Sequence, residues 1–267
     1  MYLPKSLYKY ELFSAQALAN LKASRIYFGS PQGFNDPYDC ATRPVVLRPS
    51  ANEVELIRES YLSERDVPES VKAGLASASV EKLQDLIHRA GVSTIESAVQ
   101  QFLTERGVSC FSGKNEDLLM WSHYAGKYKG FCLEFSTIQM PFSNAKRVSY
   151  HEKIPDTSVV PFLLPQRDDP VVDFFCIKSK SWSYEQEWRV IHEKAGPLYH
   201  YEPEALTGVY FGPETSIESL EIICLILRGQ NKGVKFWRGL RSKTEFQIEF
   251  EEFNYHSHLE AKKLGLI

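Results

Sequence analysis

Gly107-Val-Ser-Cys-Phe111 and Gly130-Phe-Cys-Leu-Glu-Phe135 read as two short strands, and the segment between them, Asp117 to Ala125, reads as a helix. Glycine bounds each strand run, and Val, Phe and Cys fill positions that suit a half-buried pleated surface. Further strand signals stand at Leu7-Tyr-Lys-Tyr10 and Arg25-Ile-Tyr-Phe28 upstream, and at Arg147–Tyr150, Tyr184–Ile191 and Leu206–Phe211 downstream. A last strand pair is expected at Val234–Leu240 and Thr244–Phe253, the second alternating Phe246, Ile248 and Phe250 with polar partners. Helices interrupt this series without the regular strand–helix–strand rhythm of a parallel sheet. The expected fold class is therefore α+β, a single domain over 1–267 with a mostly antiparallel, split sheet.

Other elements fill in around that frame. Ser14 can cap a helix carrying Ala17, Leu18 and Leu21 at helical spacing. Ser30-Pro-Gln-Gly-Phe-Asn-Asp-Pro-Tyr-Asp39 is dense in turn formers and reads as a loop. The texture changes over 50–106, where Ser50 and Glu53 form a capping-box pattern and three helices are expected, the later two at 79–90 and 94–106. This stretch is read as a helical insertion or lid subdomain. A Pro-rich loop around 155–170 precedes an expected helix from Val171 to Lys180, and a helix or mixed segment is expected at about 215–228.

Composition bounds the function classes. The chain has 267 residues, 43% hydrophobic and 24% charged, which is that of a well-cored globular protein. A net charge of −3 gives no global pull toward nucleic acid. The Met1–Tyr10 segment has no basic region followed by an apolar run, and no apolar stretch approaches the length of a membrane span. Cys40, Cys110, Cys132, Cys176 and Cys224 are scattered, without the spacing of a zinc site or a disulfide framework. A cytoplasmic protein with no membrane partner is the expectation.

Chemistry concentrates in Leu118-Leu-Met-Trp-Ser-His-Tyr-Ala125 and Trp182-Ser-Tyr-Glu-Gln-Glu-Trp-Arg189, which hold three of the four tryptophans. Aromatic walls with a few convergent polar groups are the usual make-up of a small-molecule pocket. In the first block Trp121, Ser122, His123 and Tyr124 put polar and aromatic groups on every face of a short helix, which is unusual for simple packing. In the second, a strand would point Ser183, Glu185, Glu187 and Arg189 to one face and Tyr184, Trp188 and Val190 to the other. Asn35, Asp36 and Asp39 either stabilise their own turn or present polar groups at a pocket rim. His256 and His258 lie in a polar tail. The Gly-rich phosphate-binding signatures and the HExxH zinc motif are absent from the sequence.

The set Leu-Tyr-Lys-Tyr10, Tyr27–Asp39, Gly107–Ser112, Leu118–Ala125, Gly130–Phe135 and Ser183–Arg189 resembles domain-of-unknown-function family 2971, of bacteria and phages, from Leu7 to about Phe211. More loosely, the order of elements resembles the ADP-ribosyltransferase fold, whose enzymes cleave the nicotinamide–ribose bond of NAD. That resemblance implies NAD as substrate and gives Glu187 the glutamate role at the ribose, with Glu185 positioning an acceptor. It implies Tyr8 or Tyr10 at the first-strand position, Trp121 or Tyr124 stacking on nicotinamide, and His123 at the ribose or pyrophosphate. Asn35, Asp36, Ser122 and Arg189 complete the implied binding set, with no metal. No Arg or His stands on the first strand, and the family's Ser-Thr-Ser signature is echoed only by Ser179, Ser181 and Ser183. The expected function is an NAD-consuming transferase or glycohydrolase of a phage-defence or toxin kind, with a protein or nucleic acid as a possible acceptor. A non-catalytic nucleotide-sensing module is the alternative, and a Mg²⁺-dependent nuclease using Asp36, Asp39, Glu185 and Glu187 is the third reading.

Overall fold

A computed structural model describes residues 2–40, 45–165 and 169–266. Its strands in chain order are β1 (Ser6–Glu11), β2 (Arg25–Tyr27), β3 (Gly107–Ser112), β4 (Phe131–Ser136), β5 (Lys146–Arg147), β6 (Ser149–His151), β7 (Ile177–Ser179), β8 (Glu187–His192), β9 (Leu198–His200), β10 (Leu206–Phe211), β11 (Lys235–Arg241) and β12 (Ile248–Phe253). The helices are α1 (Ala15–Lys22), α2 (Ala51–Ser63), α3 (Glu69–Ser77), α4 (Val80–Glu105), α5 (Leu118–Tyr124), α6 (Val160–Leu163), α7 (Pro170–Phe174), α8 (Ile217–Arg228) and α9 (His258–Lys263). The chain divides into two compact units, one of residues 1–29, 107–148 and 181–267, the other of 30–106 and 149–180. The protein is thus mixed α/β with a large, mostly antiparallel sheet and several helices.

The first unit is built on an eight-stranded sheet in the order β12-β11-β10-β4-β1-β3-β8-β5. Every pairing is antiparallel except β10 with β11, which α8 connects as a crossover. Alternation along the strands sorts the side chains onto two faces. One face carries Leu7, Phe111, Leu133, Phe135, Trp188, Val190, Val209, Phe211 and Phe236, which join Ala17 and Leu21 of α1 and Ile223, Cys224 and Leu227 of α8 in the main core. Each such side chain fully buried contributes about 1.5–3 kcal/mol. Both helices start where the sequence supplies a cap: Ser14 accepts from Ala17 N and Ser216 from Ser219 N.

The opposite face is of a different character. It holds a smaller cluster of Tyr10, Met120, Trp121, Ala125, Cys132, Tyr210 and Ile248, with Tyr8, Tyr124, Tyr184, Trp237 and Phe250 half-buried around it. The short α5 lies on it, supplying Met120 and Trp121, with Ala125 just after its end. The second unit has its own core of Val54, Ile57, Leu83, Ile87, Ile95 and Val159, and Phe102 stacks on Phe175 with ring centroids 3.8 Å apart.

Several elements differ from the sequence expectation. The two helices expected at 79–90 and 94–106 are one helix, α4, because Gly91 is no break there. A side chain at that position would meet Val159 Cβ at 2.7 Å, so the glycine lets α4 pass close to that residue. The helix expected from Val171 to Lys180 ends at Phe174, since residues 177–179 find backbone partners in β6 and pair as a parallel ribbon. Arg147–Tyr150 is two strands in place of one, β5 pairing with β8 and β6 with β7. The second strand of the last pair begins at Ile248, after a turn in which Ser242 accepts from Thr244 N and Glu245 N. The polar tail contains α9, started by a capping box between Ser257 and Glu260.

Candidate functional site

The strand expected from Tyr184 begins only at Glu187. Residues Lys180–Glu185 form 3-10 helix, and Gln186 between the two has φ +46°, a left-handed conformation uncommon outside glycine. Two bonds from β3 hold this turn: Ser112 Oγ donates to Glu185 O at 2.7 Å, and Gly113 N donates to Gln186 O at 2.9 Å. The expectation that Ser183, Glu185, Glu187 and Arg189 share one strand face is therefore corrected, because the turn at Gln186 breaks the alternation. Glu187 and Arg189 alone keep it.

Those two residues form a buried ion pair on the sheet. Arg189 Nε donates to Glu187 Oε1 at 2.7 Å and Nη2 to Oε2 at 3.1 Å, a two-toothed bond between side chains that are 0% and 3% exposed. Register places Cys110 beside Arg189 and Ser112 beside Glu187. Burial, and then the charge of Glu187, push the Cys110 thiol well above its ordinary value, so it stays protonated and serves as a neutral neighbour.

Glu185, also 3% exposed, is met by α5: Tyr124 Oη donates to its Oε1 at 2.7 Å. The helix starts where it does because Asp117 accepts from Leu119 N and Met120 N. One position earlier on α5, His123 is exposed and its Nδ1 lies 3.1 Å from Tyr184 Oη. Two neighbouring residues of α5 thus make polar contacts with two neighbouring residues of the 3-10 segment, Tyr124 with buried Glu185 and exposed His123 with Tyr184. Ser122 is half-buried.

Trp121 does not offer a stacking surface. It is fully buried, its Nε1 donates to Asn115 O at 2.6 Å, and Tyr10 meets it edge-on with centroids 5.3 Å apart. Tyr10 is likewise packed, its hydroxyl donating to Lys114 O and held well above its ordinary pKa by burial. Both belong to the cluster that seats α5 on the sheet, which is the physical correction to their expected ligand roles. Tyr8 is half-buried and turns to a group the sequence reading passed over, Glu134 of β4, opposite it in register. Glu134 accepts from Ser6 Oγ at 2.7 Å and Tyr210 Oη at 3.1 Å. Burial, and then the Glu134 charge, push the Tyr8 hydroxyl up to about 12. Gly208 leaves the space this carboxylate fills, since a Cβ there would meet Glu134 Oε2 at 2.7 Å.

The pairings Glu187–Ser112, Ser112–Tyr8 and Tyr8–Glu134 set these four side chains in one row across β8, β3, β1 and β4. At about 4.8 Å per strand the two carboxylate-bearing ends are roughly 14 Å apart. Ser112 and Glu134 were missed because only sheet register, which a single sequence does not state, puts them in line with Glu187.

Asn35 and Asp36 lie in the second unit. Asn35 is exposed, while Asp36 is buried and accepts from Tyr38 N at 2.9 Å, the bond of a self-stabilised turn. Asp39, buried as well, pairs with buried Lys178 at 3.3 Å. Among the described residues no group of three or more His, Cys, Asp or Glu side chains is placed to hold a metal ion. No helix among the described residues is long and apolar enough to cross a membrane.

Fold and site together define a mixed α/β protein whose sheet carries a buried Glu187–Arg189 ion pair, with a second buried carboxylate, Glu185, in the 3-10 segment just before β8. Residues 120–190 match the model of a family described as a protein of unknown function (DUF2971), a segment that includes α5 from Met120 on, Glu185, Glu187 and Arg189. No curated protein and no solved structure matches the chain.

Proposed function

We propose that the protein acts on the N-glycosidic bond of NAD, as a transferase or glycohydrolase similar to the ADP-ribosyltransferases. The observation that carries this reading is the pair of buried carboxylates one residue apart, each held by its own partner: Glu187 by Arg189 and Glu185 by Tyr124. Cleavage of this bond leaves the pair of electrons on nicotinamide and a developing positive charge on the ribose C1′ and ring oxygen. Fixed negative groups in a dry site stabilise such charge without reorganising at the moment of reaction. Glu187 is assigned that role, together with accepting a ribose hydroxyl proton in a hydrogen bond. Arg189 fixes its carboxylate plane. Glu185 orients the incoming nucleophile, water or an acceptor group, whose proton passes to solvent once its oxygen or nitrogen has bonded to C1′. Tyr124 sets the Glu185 rotamer, and His123 with Tyr184 contacts the ribose or pyrophosphate.

The experiment is incubation with labelled NAD, alone and with cell lysate, comparing wild type with Glu187→Gln. Nicotinamide release or labelled product from wild type alone supports the reading, and none from either protein removes it. A second reading, a nucleotide-binding module without turnover, is favoured by the same Arg189 bond, which neutralises Glu187 within its own strand. A thermal shift with NAD and no turnover supports that module.

A further inference from the structure

The face of the sheet opposite Glu187 holds a cavity of about 560 Å³ bounded by β1, α1, β2 and the β9 region. That volume lies within the range of small-molecule sites. Its lining is mixed: Lys9, Glu11, Gln16, Asn20 and Arg25 are polar, while Leu133, Tyr27 and Leu198 give it apolar surface. Into it projects Glu11, which shares its face of β1 with Lys9 and with the apolar Leu7, beside Phe111 and Leu133.

The surroundings of Glu11 leave its charge only loosely met. Among the described residues no donor hydrogen-bonds its carboxylate, and its nearest cation, Lys9 Nζ, stands 4.0 Å away and donates to Cys110 O. Lys9 also lies 5.3 Å from the Phe111 ring centroid. The other cation on the cavity wall, Arg25, has its Nε committed to His200 Nε2 at 3.0 Å. The amides of Gln16 and Asn20 bond each other at 2.9 Å. About 30% of the Glu11 side chain remains open. A carboxylate in a partly apolar hollow, without a hydrogen bond, is costly unless a donor arrives. Burial outweighs Lys9 and raises the Glu11 carboxyl above its ordinary value, the behaviour of a charge still short of a partner.

We propose that this cavity is a binding site for a small organic amine, its ammonium bonded to Glu11 and its apolar body against Leu133, Tyr27 and Leu198. An ammonium supplies both what the carboxylate lacks, a hydrogen-bond donor and a neutralising charge. The site is separate from the carboxylate pair on the other face and does not rest on the NAD reading.

The test uses three probes of one shape on the full chain: phenethylamine, neutral 2-phenylethanol and anionic 3-phenylpropionate, each titrated by calorimetry and by thermal unfolding. The amine is expected to bind and to raise the unfolding midpoint, the neutral and anionic probes binding at least about tenfold more weakly. Glu11→Gln, which keeps the size and removes the charge, is expected to bring the amine down to the level of the alcohol. No binding of the amine, equal binding of all three probes, or preference for the anion overturns the proposal on wild type alone. Unchanged amine affinity in a folded Glu11→Gln protein overturns it as well.

Discussion

Replacing Arg189 by alanine leaves the buried Glu187 carboxylate without two N–H donors that now meet it at 2.7 and 3.1 Å. Breaking a buried ion pair from one side costs about 3–5 kcal/mol, because the remaining charge stays out of water. Arg189→Ala is therefore expected to lower stability by that amount in urea unfolding, and Glu187→Gln, which keeps an acceptor for Arg189, by clearly less. Equal losses would mean that the pair contributes little beyond packing. At this scale the sequence was informative where partners are close in the chain: Glu187 and Arg189 share a strand face by simple alternation. It was silent where partners are distant. Tyr124 and Glu185 are 61 positions apart, and Tyr8 meets Glu134 only because β1 and β4 pair in one particular register. The reading also counted Trp121 as a ligand group, although a large indole with its N–H already used is core material.

Among the elements, α4 shows how a local signal is overruled. Glycine costs about 1 kcal/mol relative to alanine in a helix interior, yet α4 runs through Gly91 between the two helices expected at 79–90 and 94–106. Its role is clearance for Val159. Gly91→Ala is accordingly expected to destabilise by about 1–3 kcal/mol despite alanine's better propensity, as overpacking does, and chemical denaturation measures it. A gain in stability would show that Val159 yields freely. At the other end of the chain, the Glu260 carboxyl is lowered to about 2, first by the Ser257 backbone N–H and then by Arg228. A carboxyl depressed in the folded state stabilises above its unfolded value and loses that contribution as pH falls through the folded one. The start of α9 is thus expected to fray between about pH 4.5 and about pH 2, seen as loss of amide protection at Glu260 and Ala261. Protection that persists unchanged to pH 2 would contradict the capping role. Strand existence was largely legible from alternation and glycine boundaries. The 3-10 segment before β8 was not, because its cause is the Gln186 turn and the two bonds that Ser112 and Gly113 bring from another strand.

Taken whole, the two faces of the first unit's sheet differ in make-up. The helix-covered face is aromatic and aliphatic and holds Phe135 fully buried between Phe142, Tyr201 and Phe111. The other carries Glu187, Arg189, Ser112, Tyr8 and Glu134. Phe135→Ala is expected to cost about 3–5 kcal/mol, whereas Tyr8→Phe, which removes one hydroxyl near Glu134, is expected to cost about 1 kcal/mol; comparable losses in urea unfolding would contradict this. The antiparallel character of the sheet was visible in the irregular mixture of strands and helices. Its strand order, with β1 at the centre between β3 and β4, was not, since nothing in local pattern fixes long-range pairing.

The most direct measurement is the rate at which purified protein releases nicotinamide from NAD, for wild type, Glu187→Gln and Glu185→Gln, each checked for folding by circular dichroism. The account predicts release by wild type, a loss of about a hundredfold or more in Glu187→Gln, and in Glu185→Gln a smaller loss of release with a larger loss of transfer to an acceptor. Equal release by wild type and a folded Glu187→Gln protein would contradict it, as would no release by wild type with or without lysate.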